Sequence, residues 1–485
     1  MEGISNMLGE YIEKNILRSV YICEQGFTSK GGNINNLCDV LNVSKTTIRN
    51  DIKKLKEIIP RYLISYSINE NMYYLYFKKN ISLQNITKEI YNRSLFLKGL
   101  YYSLHNKFNV KEFSENEFIS LSKAYKLKSF ITHFFIENGF IKENKLNITE
   151  IDYRFIVLTI SSYTTWLKIP EADNNLNKNF NYIISYIERN YFCRKYTVTS
   201  KRYILNAMHL SYLRQNKNTV TYQKNDQDEI LINPLYLLIR RAVLTLKPYL
   251  LFKDSELLYI YSIINSQSYH SPNLVALNKD FKISSTYFIN KRKDNLDLMD
   301  RLIKSLNIDD NHYTLFKKAF LGLVRPLSRN NKLIIPNQIY LLSCNQKKLY
   351  LKIKEILYEW EQDWNNDIYW NKNNLKKFTI DISLLLQKEQ HKPYILKIIT
   401  NNNFNFLYYK SLSETLFDKH VIVDTVMYSD IYEILSESSN ETIIICEKPV
   451  NANNILPNFF HISTESAIKV FLEIEKSFLL RKQVV

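Results

Sequence analysis

The chain has 485 residues, 45% hydrophobic and 23% charged, which fits a folded protein of about three or four domains rather than one core. Only 8 Gly and 10 Pro argue against collagen-like, linker-rich and many-turned β architectures and leave little glycine for phosphate-cradling loops, so long helices joined by Asn-rich loops are expected. The net charge of +17 points to a polyanionic partner, with Lys-rich codon usage as the competing explanation. It does not single out a site: the first 150 residues carry about +6, residues 151–390 about +13 and the last 95 about −2.

Five scattered cysteines, Cys23, Cys38, Cys193, Cys344 and Cys446, form no CxxC or Cys/His cluster. Neither a disulfide framework nor a metal site is expected, and free thiols in a reducing cytosol are the plain reading. The N-terminus carries Glu2, Glu10 and Glu13 and no apolar core, so it does not read as a signal peptide. The uncharged apolar run at residues 155–167 is too short to span a bilayer. A cytoplasmic protein without membrane contact is expected.

The first readable unit is residues 33–60, NINNLCDVLNVSKTTIRNDIKKLKEIIP. Ile34, Leu37 and Leu41, then Val43, Ile48, Ile52, Leu55 and Ile59, fit two helical stripes with a break near Asn42. Ser44 is a good N-cap and Pro60 a stop. Two short helices joined by a tight turn make a helix-turn-helix. Its second helix exposes Lys45, Thr46, Thr47, Arg49, Asn50, Lys53 and Lys54. Thr47, Arg49 and Asn50 are candidates for base edges, and Lys53 and Lys54 for phosphates, with the helix N-terminus from Ser44 favouring a further phosphate. Alternation on either side of Asn69–Asn71 reads as a hairpin, the wing of a winged helix. The competing reading is a small helical domain with a solvated basic face. The stretch LCDVLNVSKTTIRNDIKKL resembles the winged helix-turn-helix that opens the Mga/AtxA family of bacterial transcription regulators; related winged helices occur in sugar-operon repressors.

A second helix-turn-helix is read over residues 112–141. Ser114 with Glu117 forms a capping box opening one helix, and Ile119–Tyr125 resembles the turn and start of a recognition helix. Its apolar stripe is Ala124, Leu127, Phe130, Ile131, Phe134 and Phe135. Ser122, Lys123, Tyr125, Lys126 and Lys128 are the exposed candidates, the lysines suiting phosphates. LNITEIDYRFIVLTI follows, with Tyr153, Arg154 and Phe155. It is similar to the short strand and helix after the second helix-turn-helix of Mga-like proteins, except that the family glycine near Thr149 is missing.

Residues 165–390 are dense in Leu, Ile, Tyr and Lys at helical spacing, enough for two bundles of about 110 residues each with a boundary near 275–290. Their position and helix order resemble the paired PTS regulation domains of the same family. The resemblance implies histidines that accept phosphate from phosphocarrier proteins, and His209, His270 and His312 are the candidates. The family's preceding Asp is Met208 here, and Thr379-Ile380-Asp381 stands where a further histidine would fall. From Pro393, strand runs YILKIIT, VIVDTV, TIIIC and FFHIS alternate with helices, the last capped by Ser463. This resembles the EIIB-like domain that ends Mga/AtxA proteins. The loop that holds a phosphorylated cysteine in working EIIB proteins reads Thr400-Asn401-Asn402-Asn403. Without that nucleophile, self-association rather than phosphotransfer is implied.

The expected fold is mainly α and multidomain: a winged helix-turn-helix (1–80), a second helix-turn-helix domain (81–163), two PTS regulation-like helical domains (164–284 and 285–390) and an EIIB-like α/β domain (391–485). The expected function is a DNA-binding regulator, an activator acting on double-stranded, AT-rich promoter DNA as a homodimer, with transient phosphocarrier contacts and no cofactor or metal. Alternatives are a sugar-operon repressor or antiterminator, or an interaction scaffold that has lost DNA binding. No catalytic constellation stands out, so an enzyme is not expected.

Overall fold

The computed structural model describes residues 8–475 apart from 106, 144, 171–172, 248–249, 327–339, 365–369, 387–393, 401, 418–420, 427, 429, 435–441 and 449–457. The chain divides into two compact units, Met1–Leu386 and Gln387–Val485. It is mainly helical, with an N-terminal helix-turn-helix and a C-terminal parallel sheet. The expected boundary between residues 390 and 391 lies outside the described residues.

The larger unit opens with α1 (Leu8–Tyr11), α2 (Lys14–Ser29), β1 (Gly31–Asn33), α3 (Ile34–Leu41), α4 (Lys45–Ile58), β2 (Leu63–Ile68) and β3 (Met72–Phe77). The strands form an antiparallel sheet in the order β1-β3-β2, which is a winged helix. Its core is the expected stripe: Ile34, Leu37, Ile48, Ile52, Leu55 and Ile59 are all buried, with Tyr73 and Leu75 from the wing. Asn42 takes the left-handed conformation (φ 53°) that breaks α3 from α4. Asn is among the non-glycine residues that tolerate it best, which suits a chain so poor in glycine. Gly31 is different: a Cβ there would sit 2.2 Å from the Tyr73 carbonyl oxygen, so the β1–β3 approach requires glycine.

Next come α5 (Leu83–Tyr91), α6 (Leu95–Leu104), α7 (Val110–Asn116), α8 (Leu121–Glu137), the two-residue pair β4 (Ile141–Lys142) and β5 (Lys145–Leu146), and α9 (Glu150–Tyr163). The structure does not form the expected capping box at Ser114 and Glu117. Asn109 caps α7, accepting from the Lys111 and Glu112 amides, so Ser114 lies inside the helix and donates to the Ile119 carbonyl. An Asn with two amides to accept starts the helix one turn earlier than the Ser can. The structural cap of α8 is Ser120.

The rest of the unit is α10 (Asn174–Asn190), β6 (Lys195–Tyr196), α11 (Val198–Arg214), α12 (Lys224–Leu231), α13 (Pro234–Leu244), α14 (Asp254–Ser266), β7 (Tyr269–His270), α15 (Leu274–Ser285), α16 (Lys293–Leu306), α17 (Asp310–Val324), α18 (Cys344–Trp364) and α19 (Lys372–Leu386). α15 runs straight into a π-helical turn, Thr286–Asn290. One apolar core extends from Leu8 to Ile264 and a second from Ile289 to Ile382. The sequence boundary near 275–290 thus falls where the cores change, but inside a continuous helical element rather than a loop. A buried polar cluster ties α9 to the helices behind it. Arg154, fully buried, reaches Glu256 of α14 through both terminal nitrogens (2.5 and 3.1 Å) and Glu150 through Nε at 2.7 Å. Arg214 of α11 grips the same Glu150 at 2.6 and 2.7 Å, and Ser211 donates to Glu256.

The smaller unit holds β8 (Tyr394–Ile399), α20 (Asn403–Phe417), β9 (Val421–Val423), β10 (Thr442–Cys446), β11 (Phe459–His461) and α21 (Ala467–Ile474). All four strands are parallel, in the order β11-β10-β8-β9. Continuous apolar runs such as Ile443-Ile444-Ile445 are what a sheet covered on both faces needs. The closing helix begins at Ala467. Ser463 caps the turn before it, accepting from the Ser466 amide at 3.2 Å.

Candidate nucleic-acid interface

α4 is held from both sides. Ser44 caps it by accepting from the Thr47 amide at 3.2 Å. Arg18 of α2 clamps the buried Asp51 through Nε at 2.6 Å and Nη2 at 3.3 Å. With Ile48, Asp51, Ile52 and Leu55 turned inward, the opposite face presents Thr46, Asn50, Lys53 and Lys54 to solvent. These lie at i, i+4, i+7 and i+8, one stripe of a helix. Such a stripe is what a helix lying in a major groove offers: short polar groups near its N-terminus and cations further along.

The remaining sequence candidates are placed differently from one another. Ser44 and Lys45 are exposed, and Lys45 Nζ donates to Asn71 Oδ1 at 3.2 Å. Thr47 is half-buried, its hydroxyl 2.9 Å from Ser44 Oγ. Arg49 is half-buried too, and its Nη2 donates to the Glu70 carbonyl at 2.8 Å. Of Thr47, Arg49 and Asn50, only Asn50 stands free in solvent; Arg49 and Lys45 pin the wing turn against α4. Sequence periodicity could not show this, because the partner lies 21 residues away across a hairpin.

Ser343 and Asn345, at the start of α18, line a cleft with Cys38, Asn42, Val43 and Ser44, and Lys372 of α19 pairs with Glu10 of α1 at 2.7 Å. The stripe from Thr46 to Lys54 stays uncovered by the described residues.

α7 and α8 repeat this geometry at a constant offset of 76 residues. The Asn33 cap of α3 becomes Asn109, left-handed Asn42 becomes Phe118 (φ 51°), and the Ser44 cap becomes Ser120, which accepts from the Lys123 amide. The closing bond from Val43 N–H to the Cys38 carbonyl becomes Ile119 N–H to the Ser114 carbonyl. Ser122, Lys123, Tyr125, Lys126 and Lys128 are all exposed, whereas Phe130 of the expected apolar stripe is 42% exposed. Asn50 corresponds to Lys126 and Thr46 to Ser122 in this register. The recurrence of an Asn cap followed by an apolar-Ser pair ten and eleven residues later is the signal in the sequence that would have revealed it. Thr149, in place of a glycine, caps α9 by accepting from the Asp152 amide at 3.2 Å.

His209 is buried, with Nε2 2.6 Å from Asn177 Oδ1 and its ring edge-on to Phe180. His270 is exposed on β7. His312 is half-exposed in the first turn of α17, and its Nδ1 lies 2.6 Å from Oδ1 of the capping Asp309. The structure brings none of the three together with another. Among the described residues, no group of three His, Cys, Asp or Glu side chains is placed to hold a metal, and no helix is long and apolar enough to cross a membrane.

The head also carries a titration. Burial pushes Glu24 of α2 from its ordinary 4.5 up to about 7. A carboxyl with a raised folded value holds its proton more tightly when folded, so stability is greatest below the unfolded value and falls as pH rises towards 7. Glu24→Gln is expected to flatten that fall. Melting temperatures of the two proteins between about pH 5 and about pH 8 should diverge as the pH rises; parallel curves would contradict it.

Residues 22–61 match the DeoR-like helix-turn-helix domain, a span that begins within α2 and ends just past α4. No curated protein matches the chain. The match and the exposed stripe of α4 together support a DNA-binding transcription regulator of the helix-turn-helix class.

Proposed function

We propose that the protein is a cytoplasmic transcription activator of the Mga/AtxA type that binds AT-rich promoter DNA as a homodimer. The observation that carries this reading is the repeat at 76 residues: two Ser-capped helices, each with an exposed polar and cationic face, on one polypeptide. Two heads per protomer give a long footprint whose affinity depends on DNA shape as well as on base contacts.

The rest of the chain supports the same reading. The helices after α9 divide between two cores, α10–α14 sharing the one that begins at Leu8 and α16–α19 forming the second, and we read them as paired PTS regulation domains. His312 is the best-placed phosphate acceptor. Asp309 holds its Nδ1, leaving Nε2 for a phosphocarrier, and a phosphoryl group there would add charge beside an existing carboxylate. His270 is accessible, whereas His209 requires the bundle to open. The parallel sheet of the smaller unit fits an EIIB-like domain that has lost phosphotransfer. Thr400 and Asn402 follow β8 where a cysteine would act, and Cys446 is buried, which pushes its thiol up and away from the thiolate. The domain then serves self-association, and the reading assigns the chain no catalytic step, metal or cofactor.

The second head is tested by replacing Lys123, Lys126 and Lys128 with Ala. Each phosphate contact contributes a slope of about 0.9 to the salt dependence, so the triple variant should bind promoter DNA more weakly with a slope smaller by about 3. An unchanged slope would remove the second helix from the interface. Sedimentation of the full chain tests the dimer, and a reporter fusion tests the sign of regulation.

A further inference from the structure

Where the two cores of the larger unit meet, a cavity of about 310 Å³ opens beside the π-helical turn. That volume suits a small metabolite. α12 and α14 form one wall; the π-turn, the start of α16 and the end of α17 form the other. π-turns are rare, and they recur at functional sites because the extra residue redirects side chains. Here the turn places Tyr287 and Phe288 on the cavity wall and is followed directly by Lys291 and Arg292, with Arg325 across the opening.

Three cations therefore line one small space. Lys291 lies over the ring of Tyr287 at 4.4 Å and is exposed. Arg325 stacks over Tyr269 at 4.9 Å, and its Nη2 reaches the Gln267 carbonyl only at 3.5 Å. Arg292 contacts Glu229 at 3.5 Å and Asp294 at 3.2 Å. Both arginines keep Nε out of solvent and, among the described residues, without a hydrogen-bond partner. Buried donors left unpaired are costly, and two of them on one cavity point to acceptor oxygens supplied from outside the protein. The lining also includes the carboxylates of Glu229 and the buried Asp226, the amide of Asn233, whose Oδ1 already caps α13, and the aromatic Tyr261. A bare inorganic anion would use the cations and offer no hydroxyl to the carboxylates or the Asn233 amide.

We infer that this cavity binds a small hydroxylated oxyanion, a sugar phosphate or hydroxy acid, with the anionic group on Arg325, Arg292 and Lys291 and the hydroxyls towards Glu229 and Asn233. Because it lies between the two cores, its occupant stabilises one arrangement of the bundles over others. This does not rest on DNA binding.

The test is thermal melting of the full chain titrated with a hexose phosphate, inorganic phosphate and the parent hexose. The hexose phosphate should raise the melting temperature saturably, inorganic phosphate should act at higher concentration, and the uncharged hexose should have no effect. Arg325→Gln and, separately, Lys291→Gln should each weaken the apparent affinity by about tenfold. Lys291 is at the surface, so its variant folds even where the loss of Arg325 perturbs the junction. No saturable shift with either phosphate, or a shift unchanged in the Lys291→Gln protein, would overturn the site. Inorganic phosphate binding as tightly as the hexose phosphate would overturn the assignment of the hydroxyl contacts.

Discussion

Arg154→Met is expected to destabilise the larger unit by about 3–5 kcal/mol, because it leaves a buried carboxylate without its cation. Arg154 and Glu256 are both fully buried, and among the described residues the Ser211 hydroxyl is the other hydrogen-bond partner of Glu256. Glu150 fares better, since Arg214 still grips it with two bonds. The loss therefore falls on Glu256. Replacing both members, Arg154→Met with Glu256→Leu, should recover much of the stability, since well-packed apolar residues often match a buried ion pair. Chemical denaturation of the three proteins measures this. A single Arg154→Met variant as stable as wild type would mean that the pair does not join α9 to α14.

Lys53→Ala with Lys54→Ala should weaken duplex binding by about thirtyfold near physiological salt and lower the salt slope by about 2. Both ammonium groups stand on the exposed stripe of α4, so their loss removes phosphate contacts and leaves the fold intact. Arg49→Ala should behave differently although it too removes a cation. Its guanidinium holds the Glu70 carbonyl in the wing turn, so the variant should loosen the wing and lower affinity with the slope nearly unchanged. Retardation assays at several salt concentrations separate the two patterns. A slope lowered by about 1 in Arg49→Ala, half the change in the double lysine variant, would put Arg49 on the phosphates after all.

The contrast between Arg49 and Lys53 also marks how far the sequence could be read. Helical period, the Ser44 cap and the Asn69–Asn71 hairpin are local signals, with causes a few residues apart, and all three stand in the structure. Side chains that bridge distant segments are another matter. Arg49 looks like any exposed helical cation until the wing folds back on it. Arg154 is 102 residues from Glu256, and its environment appears only when α9 and α14 pack. Ser114 misleads for a local reason: two plausible caps lie five residues apart, and Asn109, with two amides to accept, starts the helix first. The 76-residue repeat is faint in the sequence because its shared parts are caps and turn geometry, while most of the side chains between them differ.

We propose that α4 lies in the major groove. Guanine N7 sits on that edge of the base pair, so dimethyl sulfate reactivity of a bound promoter fragment tests it most directly. The expected result is a cluster of protected guanines with the full-length chain, open again when Thr46, Asn50, Lys53 and Lys54 are replaced by Ala. Bound DNA whose guanines remain uniformly reactive, or protection that persists in the quadruple variant, would contradict it.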